Sequence, residues 1–307
     1  MRRLLIIVLA GTVATACSGP APHPPAPPTP TATSAAGKSA SGEGAAGESA
    51  AATSPEGASA SGADAGAERP IGNATPAPDW LGKRLLPAGP GGVAAAQETP
   101  PELRHRSIIT TDYLPPPADG GFHATIRPVP ASVLARSSWT SACPVKSTDL
   151  RYVTVGFRGF DGRAHTGEMI VHRRAADGLV KVFGTLFAQG YPIEGMRIAS
   201  AAGLTAPPTG DGNGTDAYAC RPVRGRQAWS QHAYGLAVDV NPFQNPYHRG
   251  KVVLPELATS YLDRADVRPG MIEPGGPVVK AFAAIGWKWG GDYHSLKDYM
   301  HFSANGG

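Results

Sequence analysis

The sequence predicts an α+β domain behind a long N-terminal tether, and three observations carry that prediction. Residues 151–157 ("RYVTVGF") and 167–172 ("GEMIVH") are runs rich in β-branched and aromatic residues, joined by the turn-rich "RGFDGRAHT". Two other segments space their apolar residues as a helix does: Val182, Phe183, Leu186 and Phe187 in one, and Val278, Val279, Phe282 and Ile285 in the other. Strands and helices do not alternate as repeated βαβ units, which favours α+β over a parallel α/β sheet. No internal repeat is visible.

Taken from the start, the chain first reads as an export signal. Met1-Arg2-Arg3 supplies positive charge, Leu4–Ala10 is an unbroken apolar run, and small residues lead into "VATAC" at 13–17. The apolar run is too short for a spanning helix, which needs roughly 20 residues. Ala14-Thr15-Ala16 ahead of Cys17 resembles a bacterial lipobox, with Ala where Leu is usual. The expectation is a lipoprotein-type signal over residues 1–16 and lipidation of Cys17, which would anchor the protein to the membrane. An ordinary signal-peptidase site with an incidental cysteine is the alternative.

Residues 18–69 contain no Val, Ile, Leu, Met or aromatic residue. Such a segment buries too little apolar surface to offset its conformational entropy, so disorder is expected. Residues 70–105 add a few apolar residues ("DWLGKRLL") but stay rich in Pro and Gly, and read as linker. As a random coil, residues 18–105 would span roughly 50 Å, the scale of a tether. The ordered domain is therefore expected over residues 106–307, with its core at about 140–305.

Residues 106–307 hold 21 Lys/Arg against 16 Asp/Glu. A mildly basic exported domain suits an anionic partner such as a cell-wall polymer, or the excess is only a solubility charge. Nucleic acid is not expected, because the basic residues form no long run. The local cluster "CRPVRGR" (Arg221, Arg224, Arg226) is more pointed, lying just ahead of His232. With Cys17 taken by lipid, Cys143 and Cys220 remain as an even pair in an oxidising compartment, and a disulfide is favoured over two free thiols.

Within the domain, Gly190 is placed to end the first helix and Gly286 the second. "IEGMRIAS" (193–200) reads as a further strand and 203–215 as a Gly/Pro/Thr/Asn loop. "WSQHAYGLAVDVNP" (229–242) alternates: Leu236, Val238 and Val240 share one face, Ala237, Asp239 and Asn241 the other. A half-buried strand would thus present a carboxylate, with His232 seven residues before it. In "YMHFS", His301 and Ser303 share the face opposite Met300 and Phe302.

His232, Asp239 and His301 together make a set of two neutral imidazoles and one carboxylate. Zn2+ accepts that set and keeps a fourth position for water. A catalytic zinc also needs a base beside that water. Asp298, three residues before His301, is the candidate. Singly, each of these residues is more often a surface or satisfied core group; the spacing of the four carries the reading.

"SQHAYGLAVDVNP", "NPY" (245–247), "GWKWGGDY" and "KDYMHFS" resemble the D-alanyl-D-alanine carboxypeptidase/L-alanyl-D-glutamate peptidase family of zinc enzymes. The resemblance covers about residues 140–305, including "CPV" at 143–145 and "YPIEGMR" at 191–197. It implies a hedgehog/DD-peptidase fold with a central antiparallel sheet, zinc on His232, Asp239 and His301, and Asp298 as general base. It also implies an arginine that polarises the scissile carbonyl or holds a substrate carboxylate. Arg221 is preferred and Arg197 is the alternative, because "GNGTDAYACR" departs from the family's usual stretch there. Ser230, Tyr234, Trp289 and Asp292 are expected to shape the substrate site, Tyr234 and Trp289 being equally readable as core aromatics.

The activity so implied is hydrolysis of peptidoglycan stem peptides by an exported monomer, at the outer membrane face or in the wall. A zinc-containing wall-binding lipoprotein of weak or no activity is the competing reading; it would need the ligands but not Asp298. A serine hydrolase lacks support, since neither Ser-x-x-Lys with its partner motifs nor Gly-x-Ser-x-Gly is present.

Overall fold

A computed structural model describes residues 74–87, 89 and 93–306. The expected signal at 1–16, the lipidation site Cys17 and the expected tether up to residue 73 lie outside the described residues. Three strands open the core of the domain: β1 (Ala124–Pro128), β2 (Leu150–Arg158) and β3 (Ala164–His172). They form one antiparallel sheet in the order β1-β2-β3, with Val153 opposite Met169. The turn between β2 and β3 is closed by Gly159 N–H donating to the Arg163 carbonyl, with Gly162 at φ +79°. This is the hairpin that the sequence pattern predicts.

The first predicted helix is also present. α1 (Ala131–Arg136) precedes it, and α2 runs over Ala176–Ala188. Leu179, Val182, Phe183 and Leu186 of α2 are at most 1% exposed, and Gly190 at φ +66° lets the chain leave the helix. After the short α3 (Ala201–Thr205), the second predicted helix is α4 (Pro277–Ala283), again followed by a positive-φ glycine, Gly286. An aromatic chain links the helices to the site. Phe183 meets Phe282 edge-on at 6.5 Å, and Phe282 stacks on Phe302 at 3.9 Å. Phe302 adjoins His301 in sequence, so the helical layer fixes the strand that presents His301.

The remaining strands are short: β4 (Ala237–Asp239), β5 (Tyr247–Arg249), β6 (Val252–Leu254), β7 (Lys288–Trp289), β8 (Lys297–Asp298) and β9 (His301–Ser303). They build two further antiparallel sheets, β4-β9-β7 and β6-β5-β8. Where one central antiparallel sheet is expected, the described residues form three small antiparallel sheets of three strands each. Pro246 directly precedes β5 and Pro255 directly follows β6, and neither has the N–H that would extend the β5–β6 ladder.

Two further expectations change. Residues 193–200 form no strand; only isolated bridges occur, at Pro192 and Met196. Pro192 cannot donate, and the Glu194 N–H goes to the Asn241 side chain instead of a neighbouring strand. The stretch read as linker contributes to a second core: Leu86, Ala94 and Leu103 join Ile108, Phe243, Leu257 and Tyr261. The packed unit therefore begins before residue 106. Arg106 secures the junction, with its guanidinium bidentate on Glu194 (2.6 and 2.7 Å), donating to the Asp211 carbonyl and lying over the Phe243 ring. Cys143 and Cys220 form a disulfide beside a third cluster of buried residues that includes Leu150, Tyr152 and Tyr218. No described helix is long and apolar enough to cross a membrane.

Candidate metal centre

His232 sits on a single 3-10 turn, Gln231–Tyr234. Ser230 caps it, its hydroxyl accepting from the His232 N–H at 3.3 Å. Gly235 ends it at φ +67°, with a Cβ there reaching within 2.5 Å of the His172 backbone nitrogen. Only glycine meets both demands. The turn replaces the first half of the strand expected over 229–242; the strand itself is β4, and its last residue is Asp239. In the β4–β9 register Asp239 lies directly opposite His301.

The three side chains converge. His301 Nδ1 is 3.0 Å from Asp239 Oδ1, His232 Nε2 is 3.3 Å from Asp239 Oδ2, and the two ring nitrogens are 3.2 Å apart. One ligand atom from each residue falls within 4.8 Å of the others, the property of a group that could hold a metal ion. The other nitrogen of His232, Nδ1, is 2.7 Å from the Ala217 carbonyl and donates to it. That fixes the tautomer and leaves the Nε2 lone pair open toward the centre. Ligands about 2.0–2.1 Å from a tetrahedral zinc stand roughly 3.3–3.4 Å from one another, so the donor set and its separations fit that ion.

The electrostatics agree. Burial presses the His232 imidazole down, but Asp239 and then Asp216 outweigh it and lift His232 to about 9. Burial would raise the Asp239 carboxyl, yet His232 and His301 hold it well below the ordinary carboxylate range. Without a cation this centre keeps protons to balance its carboxylates; a divalent cation replaces them.

Asp298, on β8, is half-buried, and the Asp298 carboxyl is pushed up to about 6 by burial first and Asp239 second. Its backbone packs on Gly290, where a Cβ would stand 2.5 Å from the Asp298 carbonyl oxygen. A carboxyl poised near neutral pH beside a metal-binding group has the character of a general base.

Residues 224–304 match the family model described as D-alanyl-D-alanine carboxypeptidase. That segment, 81 of the 307 residues, is similar to this peptidase family. No solved structure gave a significant match to the chain. The matched segment holds His232, Asp239, Asp298 and His301, whereas Arg197, Arg221 and the disulfide lie upstream of it.

The other sequence-predicted residues divide. The charge of Arg221 acts on His232, Asp216 and Asp298 alike, after the larger effects of burial and the neighbouring carboxylates and imidazoles. Arg197 acts on Asp216 and donates to the Tyr113 hydroxyl at 3.0 Å, farther out. Ser230 is buried as a helix cap, and Tyr234 is half-buried against the main core. For Trp289 the core alternative holds: it is 3% exposed and donates its indole N–H to the Tyr299 carbonyl at 2.7 Å. Asp292 is exposed.

Three groups escape the sequence reading. Asp216 exchanges both backbone hydrogen bonds with Asp239 (2.9 and 3.2 Å) and is raised to about 6 by burial, with Asp239 adding to it against the lowering pull of His232. The Tyr293 and Ser303 hydroxyls are buried beside one another; burial first and the charge of Asp298 second raise Tyr293, while Ser303 pulls it down. Ser303 follows His301 by two in β9, a spacing that could have marked it. Asp216 carries no local signal at all.

Proposed function

We propose that this protein is a zinc-dependent peptidase that hydrolyses peptidoglycan stem peptides in cell-wall remodelling, as a D-alanyl-D-alanine carboxypeptidase or an L-alanyl-D-glutamate endopeptidase does. The observation that carries the reading is the convergence of His232, Asp239 and His301 beside Asp298, within the segment that matches the carboxypeptidase family. The reading includes a hedgehog/DD-peptidase fold, a tether from residue 17, and a lipid anchor on Cys17 holding a monomer at the outer membrane face.

His232 Nε2, Asp239 and His301 Nδ1 would hold the ion. When bound, zinc supplies a Lewis acid and lowers the pKa of water toward neutrality. Asp298 accepts the proton of the attacking water at its carboxylate and returns it to the leaving amine. Arg221, whose charge already acts on the centre, faces the negative charge that develops on the scissile carbonyl oxygen. Asp216 holds β4 in place through its paired backbone bonds to Asp239. Asp298 favours catalysis over a purely structural zinc, which would need no base.

The test is incubation of the purified chain with defined stem peptides, with and without a chelator, and identification of the products by mass. Chelator-sensitive release of D-Ala or of L-Ala is expected. Zinc-loaded protein that leaves every stem peptide intact overturns the catalytic reading.

A further inference from the structure

Between Cys220 and Ser230 the chain makes a small hairpin that the catalytic reading does not use. Pro222 and Trp229 form an antiparallel bridge, Val223 N–H donates to the Ala228 carbonyl at 2.9 Å, and Gly225 turns the tip at φ +71°. Both roots are rigid. One is tied by the Cys143–Cys220 disulfide, and the other is Ser230, which caps the turn carrying His232. Every residue from Pro222 to Trp229 is exposed. The hairpin therefore costs the core nothing and stands directly beside the metal centre.

What it displays is specific in kind. Arg224 and Arg226 have no carboxylate within hydrogen-bonding distance, and the like charge of Arg221 acts on Arg224. Burial and then Arg221 act against the charge of Arg224, with Glu256 as the opposing charge, and guanidiniums gathered on one arm without an ion-pair partner create a local positive potential. Trp229, 37% exposed, and Val223, 38% exposed, add apolar surface. Exposed Trp beside Arg is the composition of a binding surface rather than of a solvated loop. An indole face packs on the C–H face of a pyranose ring, while guanidiniums pair with carboxylates.

We infer that the 222–229 hairpin is a docking arm for the polymer that surrounds the scissile peptide: a saccharide strand bearing anionic peptide branches. This rests on the proposed peptidoglycan reading and deepens it. The arm would hold the insoluble polymer, while the peptide bond is presented to the centre by other residues. An anionic lipid surface is the other partner that positive charge could attract. Trp229 and the direct run of the arm into the turn of His232 favour the polymer.

The test compares the full-length chain with Arg224→Ala/Arg226→Ala/Trp229→Ala in pelleting with purified peptidoglycan sacculi and with vesicles containing anionic lipid. The expected result is at least roughly tenfold weaker sacculus binding by the variant, as loss of interface Arg and Trp anchors produces. Turnover of a short soluble stem peptide should be unchanged, and sacculus binding by the parent should weaken with salt. Arg224→Lys/Arg226→Lys should restore part of the binding, through charge alone. Equal pelleting of parent and variant overturns the proposal. So does hairpin-dependent binding to vesicles without binding to sacculi, or an equal loss of short-peptide turnover, which would place the arm inside the peptide site. Hairpin-dependent pelleting by a protein that cleaves no stem peptide supports the arm while refuting the catalytic reading.

Discussion

Asp239 and His301 face one another across the β4–β9 pairing, with His301 Nδ1 3.0 Å from Asp239 Oδ1. Sixty-two positions separate them in sequence. Two short strands thus place two of the three candidate ligands by register alone, and the capped turn at Gln231–Tyr234 brings the third. Replacing His232, Asp239 or His301 by Ala should lower bound zinc sharply, measured by elemental analysis of the purified protein. Stoichiometric zinc in a His232→Ala/His301→Ala double variant would remove the assignment.

Asp298 should be separable from the ligands. Asp298→Ala is expected to keep its zinc and lose roughly 10²–10⁴-fold in turnover, the usual contribution of a general acid–base group. A base acts only when deprotonated, so activity should fall as pH drops through its pKa. That value is about 6 without metal, raised by burial and then by Asp239. A bound cation stabilises the carboxylate, so the acid limb of kcat/KM should lie at or below about 6 and be missing from the residual activity of Asp298→Ala.

Gly290 makes room for that base. A Cβ there would lie 2.5 Å from the Asp298 carbonyl oxygen, a backbone atom that cannot swing away, and 2.9 Å from the Asp298 Cβ. Gly290→Ala should reduce turnover while zinc content holds, and lower the thermal midpoint. Turnover equal to the parent's would mean that the position of Asp298 tolerates displacement.

Glu168 should make the domain sensitive to acid. Burial raises its carboxyl, but Arg136, bidentate at 2.6 and 2.5 Å, and the Tyr152 hydroxyl at 2.6 Å outweigh that and hold it below its ordinary value. A carboxyl depressed in the folded state stabilises above its unfolded pKa, and that stability is lost as pH falls through the folded value. Denaturant midpoints of the parent and Glu168→Gln should therefore differ most near neutrality and converge only as pH falls below the ordinary range of a Glu carboxyl. A constant gap down to low pH would show that the Glu168 charge contributes nothing.

The proposed anchor is tested at the other end of the chain. Cys17→Ala should shift the protein from the membrane pellet to the soluble fraction without changing its turnover of soluble peptide. Retention of the variant in the pellet would point to an uncleaved N-terminal segment.

The sequence by itself determined what local chemistry writes into a chain. The β2–β3 hairpin was legible in its β-branched alternation, and α2 and α4 in their 3.6-residue stripes with Gly190 and Gly286 beyond their ends. His232 with Asp239, and Asp298 with His301, were legible because each pair is closely spaced and their residue types are those the chemistry demands. Tertiary structure alone decided the rest. Trp289 packs in the main core with its indole N–H satisfied by the Tyr299 carbonyl, and Asp216 was brought to Asp239 by a bridge between separate segments. Leu86, Ala94 and Leu103 found partners well over a hundred residues away, in a stretch with no periodicity of its own. Nearest neighbours in sequence set backbone preference and face. Which faces meet depends on burying apolar surface across the whole chain, and no local pattern encodes that.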